Sequence, residues 1–159
     1  MHAAQIENLL SFDQWIYRLV NQDLVSDKLD VLFVSISNQH NWYPIYILLA
    51  LFLLRRKPSL LIALVAGLAI TDFSIDQLWK PLFQRPRPCW DFEGVRQLVG
   101  CGRFGFFSAH AANCTCFAVV FWDLGKGLFW KTTLVFTVFL ICYSRVYVGV
   151  HYPLSLIHI

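Results

Sequence analysis

From Trp42 to Leu54 the chain carries no charged residue, and it then runs straight into Arg55-Arg56-Lys57-Pro58. A helix apolar on every side has no polar face to offer water, so it belongs in a protein core or a bilayer. The pattern recurs. Leu60 to Trp79 is apolar apart from Asp72 and Asp76, Ser108 to Trp122 is apolar up to Asp123, and Phe129 to Tyr143 is interrupted only by Lys131. A crossing helix needs about 20 predominantly apolar residues. The 159 residues therefore hold about five spans with short loops, and no sizeable soluble domain besides. Composition agrees, since hydrophobic residues make up 57% and charged residues only 14%, against roughly 25% charged in a soluble domain. The fold class expected is all-α, a multi-span transmembrane helix bundle.

The N-terminal part reads differently. Ile6, Leu9, Phe12, Trp15, Ile16 and Leu19 recur at helical spacing, with Asp13, Gln14 and Arg18 interrupting. This pattern predicts an amphipathic helix lying in the membrane interface. Met1 to Trp15 has no basic flank, compact apolar core or small-residue cleavage site, so no cleaved signal peptide is expected and the first span acts as its own insertion signal. That first span is short, Leu24 to Ser37, with Asp27, Lys28 and Asp30 at its start and a polar turn, Asn38 to Asn41, after it. Trp15, Trp42, Trp79, Trp122 and Trp130 fall near expected span ends, where an aromatic belt accounts for them. His2 and His40 read as surface residues.

Lys and Arg in short loops set orientation. The Arg55–Lys57 cluster and the Lys126/Lys131 pair fall at ends that an antiparallel bundle puts on one side, the cytoplasmic side. Residues 80–107 and 144–153 then share the opposite face. The 80–107 loop holds Lys80, Arg85, Arg87, Arg96 and Arg103 against Asp91 and Glu93. Such an excess on the non-cytoplasmic side implies that those cations bind something anionic. The net charge of +3 is too small to argue for nucleic acid.

Three clusters land on that face: Lys80-Pro-Leu-Phe-Gln-Arg85-Pro86-Arg87-Pro88, then Phe107-Ser108-Ala109-His110, then Ser144-Arg145 followed by His151. Their order and spacing resemble the three-part signature of the type 2 phosphatidic acid phosphatase family, over residues from about 70 to 153. The chemistry stands beside the resemblance. Phosphoryl transfer concentrates negative charge on equatorial oxygens, so a site needs fixed cations and donors aimed at them. Lys80, Arg87 and Arg145 supply such charge, and the planar fork of arginine suits a phosphate. Ser108 stands where a helix N-cap would be, and the amides that follow make a phosphate seat. No clustered carboxylates wait to hold a metal, and a metal-free route needs a protein nucleophile.

The resemblance implies that His151 attacks phosphorus to form a phosphohistidine, while His110 protonates the leaving oxygen and later activates water. Lys80, Arg87, Arg145, the Ser108 hydroxyl and the Ala109 amide would hold the phosphate. No cofactor is implied. The substrate would be a lipid phosphate or polyprenyl pyrophosphate, undecaprenyl pyrophosphate first, reached from the outer face of a bacterial inner membrane. The competing class is a non-catalytic lipid-phosphate binding or transport protein. A vanadate-dependent haloperoxidase is disfavoured by the apolar spans.

Three departures from the signature stand out. Phe107 and Ala109 replace the usual Pro and Gly, and Ser155 stands where the family has the Asp that orients the nucleophilic imidazole. Leu154 to Ile159 is also what CTG-TCT-CTT-ATA-CAC-ATC encodes, a transposon-end sequencing adapter. The expected organisation is thus an incomplete phosphatase-like domain over 1–153 and a non-native tail over 154–159, which takes in His158. A sixth span and the orienting Asp would belong to the parent protein; the chain as given lacks that carboxylate, and an inactive fragment is the alternative to an active phosphatase.

Other residues carry smaller expectations. Asp72, Asp76 and Lys80 are four apart and share a helix face, so Asp76 either positions Lys80 or sits at the water interface. Asp72, deeper, should face the bundle interior. Asn113 is expected to pack between helices. The five cysteines, Cys89, Cys101, Cys114, Cys116 and Cys142, match no zinc pattern. Cys89 and Cys101 flank the polar loop, where an oxidising periplasm permits a disulfide, with two free thiols as the alternative. The other three read as packing residues.

Overall fold

The computed structural model describes residues 2–91 and 93–157, with side chains from Gln5 onward. The side chain of His2, and all of His158, lie outside the described residues. Helix α1 (His2–Arg18) runs on through a π-helical turn, Leu19–Asp23. Helix α2 (Asp27–Ser37) is capped by Ser26, whose side chain accepts from the Leu29 amide, and it carries Asp27 and Asp30 in its first turn. Both features suit the positive end of a helix dipole. Asn38, in extended backbone, breaks the helix, and a 3₁₀ turn, Gln39–Trp42, leads into α3 (Tyr43–Arg56). Pro58 opens the long α4 (Pro58–Phe83), which contains a π-turn at Ile75–Trp79 and ends where Gln84 turns left-handed at φ 47°. A polar loop containing the short α5 (Pro88–Asp91) precedes α6 (Ala109–Val120), α7 (Leu128–Tyr147) and the short α8 (Leu154–Ile157).

The expectation of about five spans meets two helices of crossing length, α4 with 26 residues and α7 with 20. At 1.5 Å per residue these reach about 39 and 30 Å. The 11-residue α2, 14-residue α3 and 12-residue α6 are shorter than a bilayer core requires. Their outer faces are apolar nonetheless. Val31 of α2 is 74% exposed, Leu48 of α3 69% and Val119 of α6 68%, as hydrocarbon-facing positions would be.

Helix α4 packs on α6, α6 on α7, α2 on α7 and α3 on α4. Gly67 allows α4 and α6 to meet closely, because a Cβ there would stand 2.7 Å from Cys116 Sγ. One apolar cluster gathers Leu53, Leu64, Ala118, Phe121 and Leu134. Another, built on Tyr17, Phe33, Val146, Tyr147 and Val150, lies at the end where α7 leaves the bundle. An apolar groove of about 550 Å³ runs past Trp122, Val135 and Phe139 to Pro153 and Leu156.

Helix α1 keeps its predicted apolar stripe outward, with Ile6, Leu9, Phe12 and Trp15 all exposed. Its buried face corrects the reading of Asp13 as a mere interruption. Asp13, Tyr17 and Asn21, four residues apart and so on one side of the helix, are buried against the rest of the chain.

Candidate functional site

Lys80 lies one residue past the π-turn of α4, half-buried, and its Nζ donates to Asp76 Oδ1 at 2.5 Å. Of the two readings of Asp76, the geometry takes the first: an exposed carboxylate one turn back holds the ammonium. Past the end of α4 the chain doubles back, and Arg87 is fixed by the carbonyls around it. Its Nε donates to Phe104 O at 3.0 Å and its Nη1 to Val150 O at 3.4 Å. The second of these bonds joins the first sequence cluster to the third.

Ser108 is the N-cap of α6, as the sequence predicts. It is fully buried, its backbone is extended, and its Oγ accepts from the Ala111 amide. The hydroxyl hydrogen remains available as a donor. Ala109 and His110 form the first turn of α6. Phe107, the departure from proline, packs edge-on against Trp79 and Phe83 at 5.7 and 5.6 Å between ring centroids. These contacts seat the start of α6 against the Lys80 end of α4. The Ser108 amide donates to Ser155 O at 3.2 Å, which joins the second cluster to the third.

Arg145 closes the last turn of α7 and is buried. Its Nη1 donates to both the carbonyl and the hydroxyl of Ser37, the last residue of α2. Its Nε is buried with no hydrogen-bond partner among the described residues, and such a donor is unfavourable unless an acceptor arrives. The chain then turns at Gly149, whose φ of 84° suits glycine. A Cβ at Gly149 would also sit 2.6 Å from Arg96 O. The His151 amide folds back onto Arg145 O at 3.2 Å.

The His151 ring is buried, with Nδ1 3.2 Å from Ser155 Oγ. Ser155 donates its own hydrogen to Tyr152 O at 2.6 Å. Its lone pair therefore accepts from Nδ1–H of His151, an assignment from the hydrogen-bond network that puts the imidazole lone pair on Nε2. Burial pushes the His151 pKa well below its ordinary value, and the charges of Arg87, Arg145, His110 and Lys80 push it further. The ring is neutral at pH 7, the state a nitrogen nucleophile needs. Arg145, Arg87 and Lys80 bear on His110 as well. Thus Lys80, Arg87, Ser108, His110, Arg145 and His151 meet at one end of the bundle, with Ala109 between two of them.

Elsewhere the structure refines or corrects the sequence reading. Asp72 does not face the interior; it is exposed, and it accepts from Asn113 Nδ2 at 2.7 Å, so Asn113 does tie α6 to α4. The loop cations are only partly available to an external anion. Arg85 pairs with Asp13 at 2.6 Å and Arg96 with Asp30. Cys89 and Cys101 are joined in a disulfide across the polar loop, while Cys114, Cys116 and Cys142 are free and half-buried. His40 is exposed. Sequence reasoning missed Ser37, Asp13 and Asn21, whose partners lie far along the chain. Gly149 did carry a signal, a glycine two residues before a candidate histidine.

The fold and the site define a class, α-helical membrane bundles whose central helices bring three cations and two imidazoles to one end. The sequence profile of the PAP2 superfamily matches residues 58–157, and the chain belongs to that family. It is 32% identical over 139 residues to a lipid A 4'-phosphatase of Porphyromonas gingivalis, covering 81% of this chain and 59% of that protein. It is 26% identical over 155 residues to an undecaprenyl-diphosphatase of Sulfolobus acidocaldarius, covering 95% and 73%. The chain therefore spans about six-tenths of the lipid A phosphatase it matches. Among solved structures, Aquifex aeolicus LpxE superposes with a TM-score of 0.77 at 29% identity, covering 90% of this chain and 84% of that one. The transmembrane PAP2-type phosphatidylglycerolphosphate phosphatase of Bacillus subtilis shares the fold, with a TM-score of 0.76 at 20% identity, covering 94% and 77%.

Proposed function

We propose that the chain forms the reacting part of a membrane lipid phosphatase that works through a phosphohistidine. His151 Nε2 attacks phosphorus as the P–O bond to the lipid breaks, and His110 gives its proton to the departing oxygen. His110 then takes a proton from the water that attacks phosphorus, the P–Nε2 bond breaks with its electron pair returning to His151, and phosphate leaves. Lys80, Arg87 and Arg145 hold the equatorial oxygens, with the Ser108 hydroxyl and the Ala109 amide. The observation that carries this reading is the buried Arg145 Nε, without a hydrogen-bond partner among the described residues, near a buried neutral His151 whose Nδ1 is already engaged. A cation with a donor to spare and a nucleophile of the correct tautomer are what a tetrahedral anion would meet.

The substrate class is a lipid carrying a phosphate ester. The likeness to lipid A 4'-phosphatase favours a phosphorylated glycolipid, and the weaker likeness to the undecaprenyl-diphosphatase keeps a polyprenyl diphosphate second. The site would open on the periplasmic side of a bacterial inner membrane, opposite the Arg55–Lys57 end. Ser155 orients His151 without the negative charge that a carboxylate would bring, so Ser155→Asp should raise turnover about tenfold. The test is phosphate release in detergent, with EDTA present, from lipid A, undecaprenyl diphosphate, phosphatidylglycerol phosphate and phosphatidic acid. Release that survives chelation and rises with Ser155→Asp supports the reading. Lipid binding without release by either protein would turn it into a binding or transport protein.

A further inference from the structure

The N-terminal helix lies outside the residues matched by the family profile, yet it sends three side chains into the site's supports. Asp13 is 3% exposed. Its Oδ2 accepts from Arg85 Nη2 at 2.6 Å and its Oδ1 from the Leu154 amide at 2.7 Å. Leu154 is the first residue of α8 and of the segment expected to be non-native, and the bond is to its backbone amide, which any residue but proline supplies. The same Arg85 guanidinium stacks over the Tyr152 ring, 4.7 Å from its centroid. Two turns along α1, Asn21 is fully buried, and its side-chain amide is satisfied at both ends. Nδ2 donates to Tyr147 O at 2.8 Å and to Arg96 O at 2.9 Å, while Oδ1 accepts from the Arg96 amide and from Tyr17 OH. Tyr17 OH also reaches Gly149 O at 3.5 Å.

These contacts bracket His151. Asn21 holds the chain just before the turn at Gly149, and Asp13 holds it three residues after the imidazole. Between them the segment 148–153 is an irregular loop, and irregular backbone holds a side chain less firmly than a helix does. A carboxylate and a carboxamide, each buried and hydrogen-bonded on both sides, are a demanding combination for a helix whose only task is to lie on a membrane.

We infer that α1 is a brace for the His151 loop, and that Asp13 and Asn21 are positioning residues that act on the reaction through the placement of His151. The inference rests on the proposed phosphatase reading. Asp13→Asn, nearly isosteric, and Asn21→Ala are compared with the parent and with Leu53→Ala, a packing change in the other apolar cluster. Two measurements are made on each detergent-solubilised protein. The first is amide hydrogen exchange over 147–155 and over 128–143, and the second is kcat and KM for phosphate release from lipid A. The brace predicts faster exchange at 147–155 alone, and a kcat lowered about tenfold or more with KM unchanged, in both α1 variants but not in Leu53→Ala. Exchange that is unchanged, or that rises equally in both segments, overturns it. So does a kcat equal to the parent's in folded Asp13→Asn. If the parent releases no phosphate from any of the four lipids, the phosphatase reading has failed, and hydrogen exchange still decides whether α1 holds the loop.

Discussion

The two ends of the bundle are built on different terms. Around Leu53, Leu64, Phe121 and Leu134 the helices meet through apolar side chains, helped by the bond from Trp130 Nε1 to Phe121 O at 2.9 Å. At the other end the apolar cluster around Tyr17, Tyr147 and Val150 is threaded with buried polar groups: Asp13, Asn21, Ser37, Ser108, Arg145, His151 and Ser155. The first end tolerates imprecision, because apolar packing has no preferred direction beyond shape. The second does not, because each buried donor or acceptor needs a partner at a definite distance and angle. The difference separates what keeps the helices together from what aims the side chains.

Four substitutions or conditions probe that separation. The largest effect is expected from His151→Asn at the polar end. Phosphate release should fall by on the order of 10³-fold or more, with the far-ultraviolet circular dichroism unchanged. Loss of helical signal would mean that the imidazole is structural. Arg145→Lys comes next. It keeps a charge but loses the fork that reaches Ser37 while presenting Nε, so kcat should fall about 10²-fold in a steady-state phosphate-release assay. Leu53→Ala at the apolar end should reverse the pattern, removing about 2–3 kcal/mol of stability while activity per folded molecule stays at the parent value. Chemical unfolding and kcat measured on the same sample separate the two effects, and equal losses in both would erase the distinction between the ends.

The smallest effect is a pH dependence. In the unfolded chain His151 takes up a proton near its ordinary pKa, about 6.5; in the folded chain burial and neighbouring cations depress that pKa strongly. Folding stability is therefore flat in this group above about pH 6.5. It is lost as pH falls toward the folded pKa, by about 1.4 kcal/mol per pH unit at most. Unfolding midpoints of the parent and His151→Asn should diverge below pH 6.5 and run parallel above it. Parallel curves throughout would mean that the folded imidazole protonates as freely as the unfolded one.

The three motif clusters were legible because each keeps its charged or imidazole-bearing residues at fixed local spacing beside an apolar run, and three such signals in order leave few alternatives. The N-cap at Ser108 was legible for the same local reason. Ser37 was not, since a serine near the end of an apolar helix looks like many others and its partner, Arg145, is 108 residues away. Asp13 and Asn21 were hidden by an ordinary assumption, that the polar side of an amphipathic helix faces water. Here part of that side faces the protein. Asp72 went the other way, because depth along a helix says nothing about rotation around it. The lengths of the individual helices were the least legible feature. Apolar runs mark where lipid is tolerated, whereas the break at Asn38 and the lengths of α3 and α6 depend on backbone geometry that hydropathy does not record.

The tight crossing at Gly67 gives the molecule something like the pivot of a pair of tongs. Lys80 rides on one arm and His110 on the other, with the lysine about 20 Å along its arm from the crossing at the usual helical rise. A methyl group added at the pivot would stand 2.7 Å from Cys116 Sγ, so either the thiol or the helices must give way there. The spacing of the polar end is in that sense set partly from deep within the bundle, by residues that take no part in it.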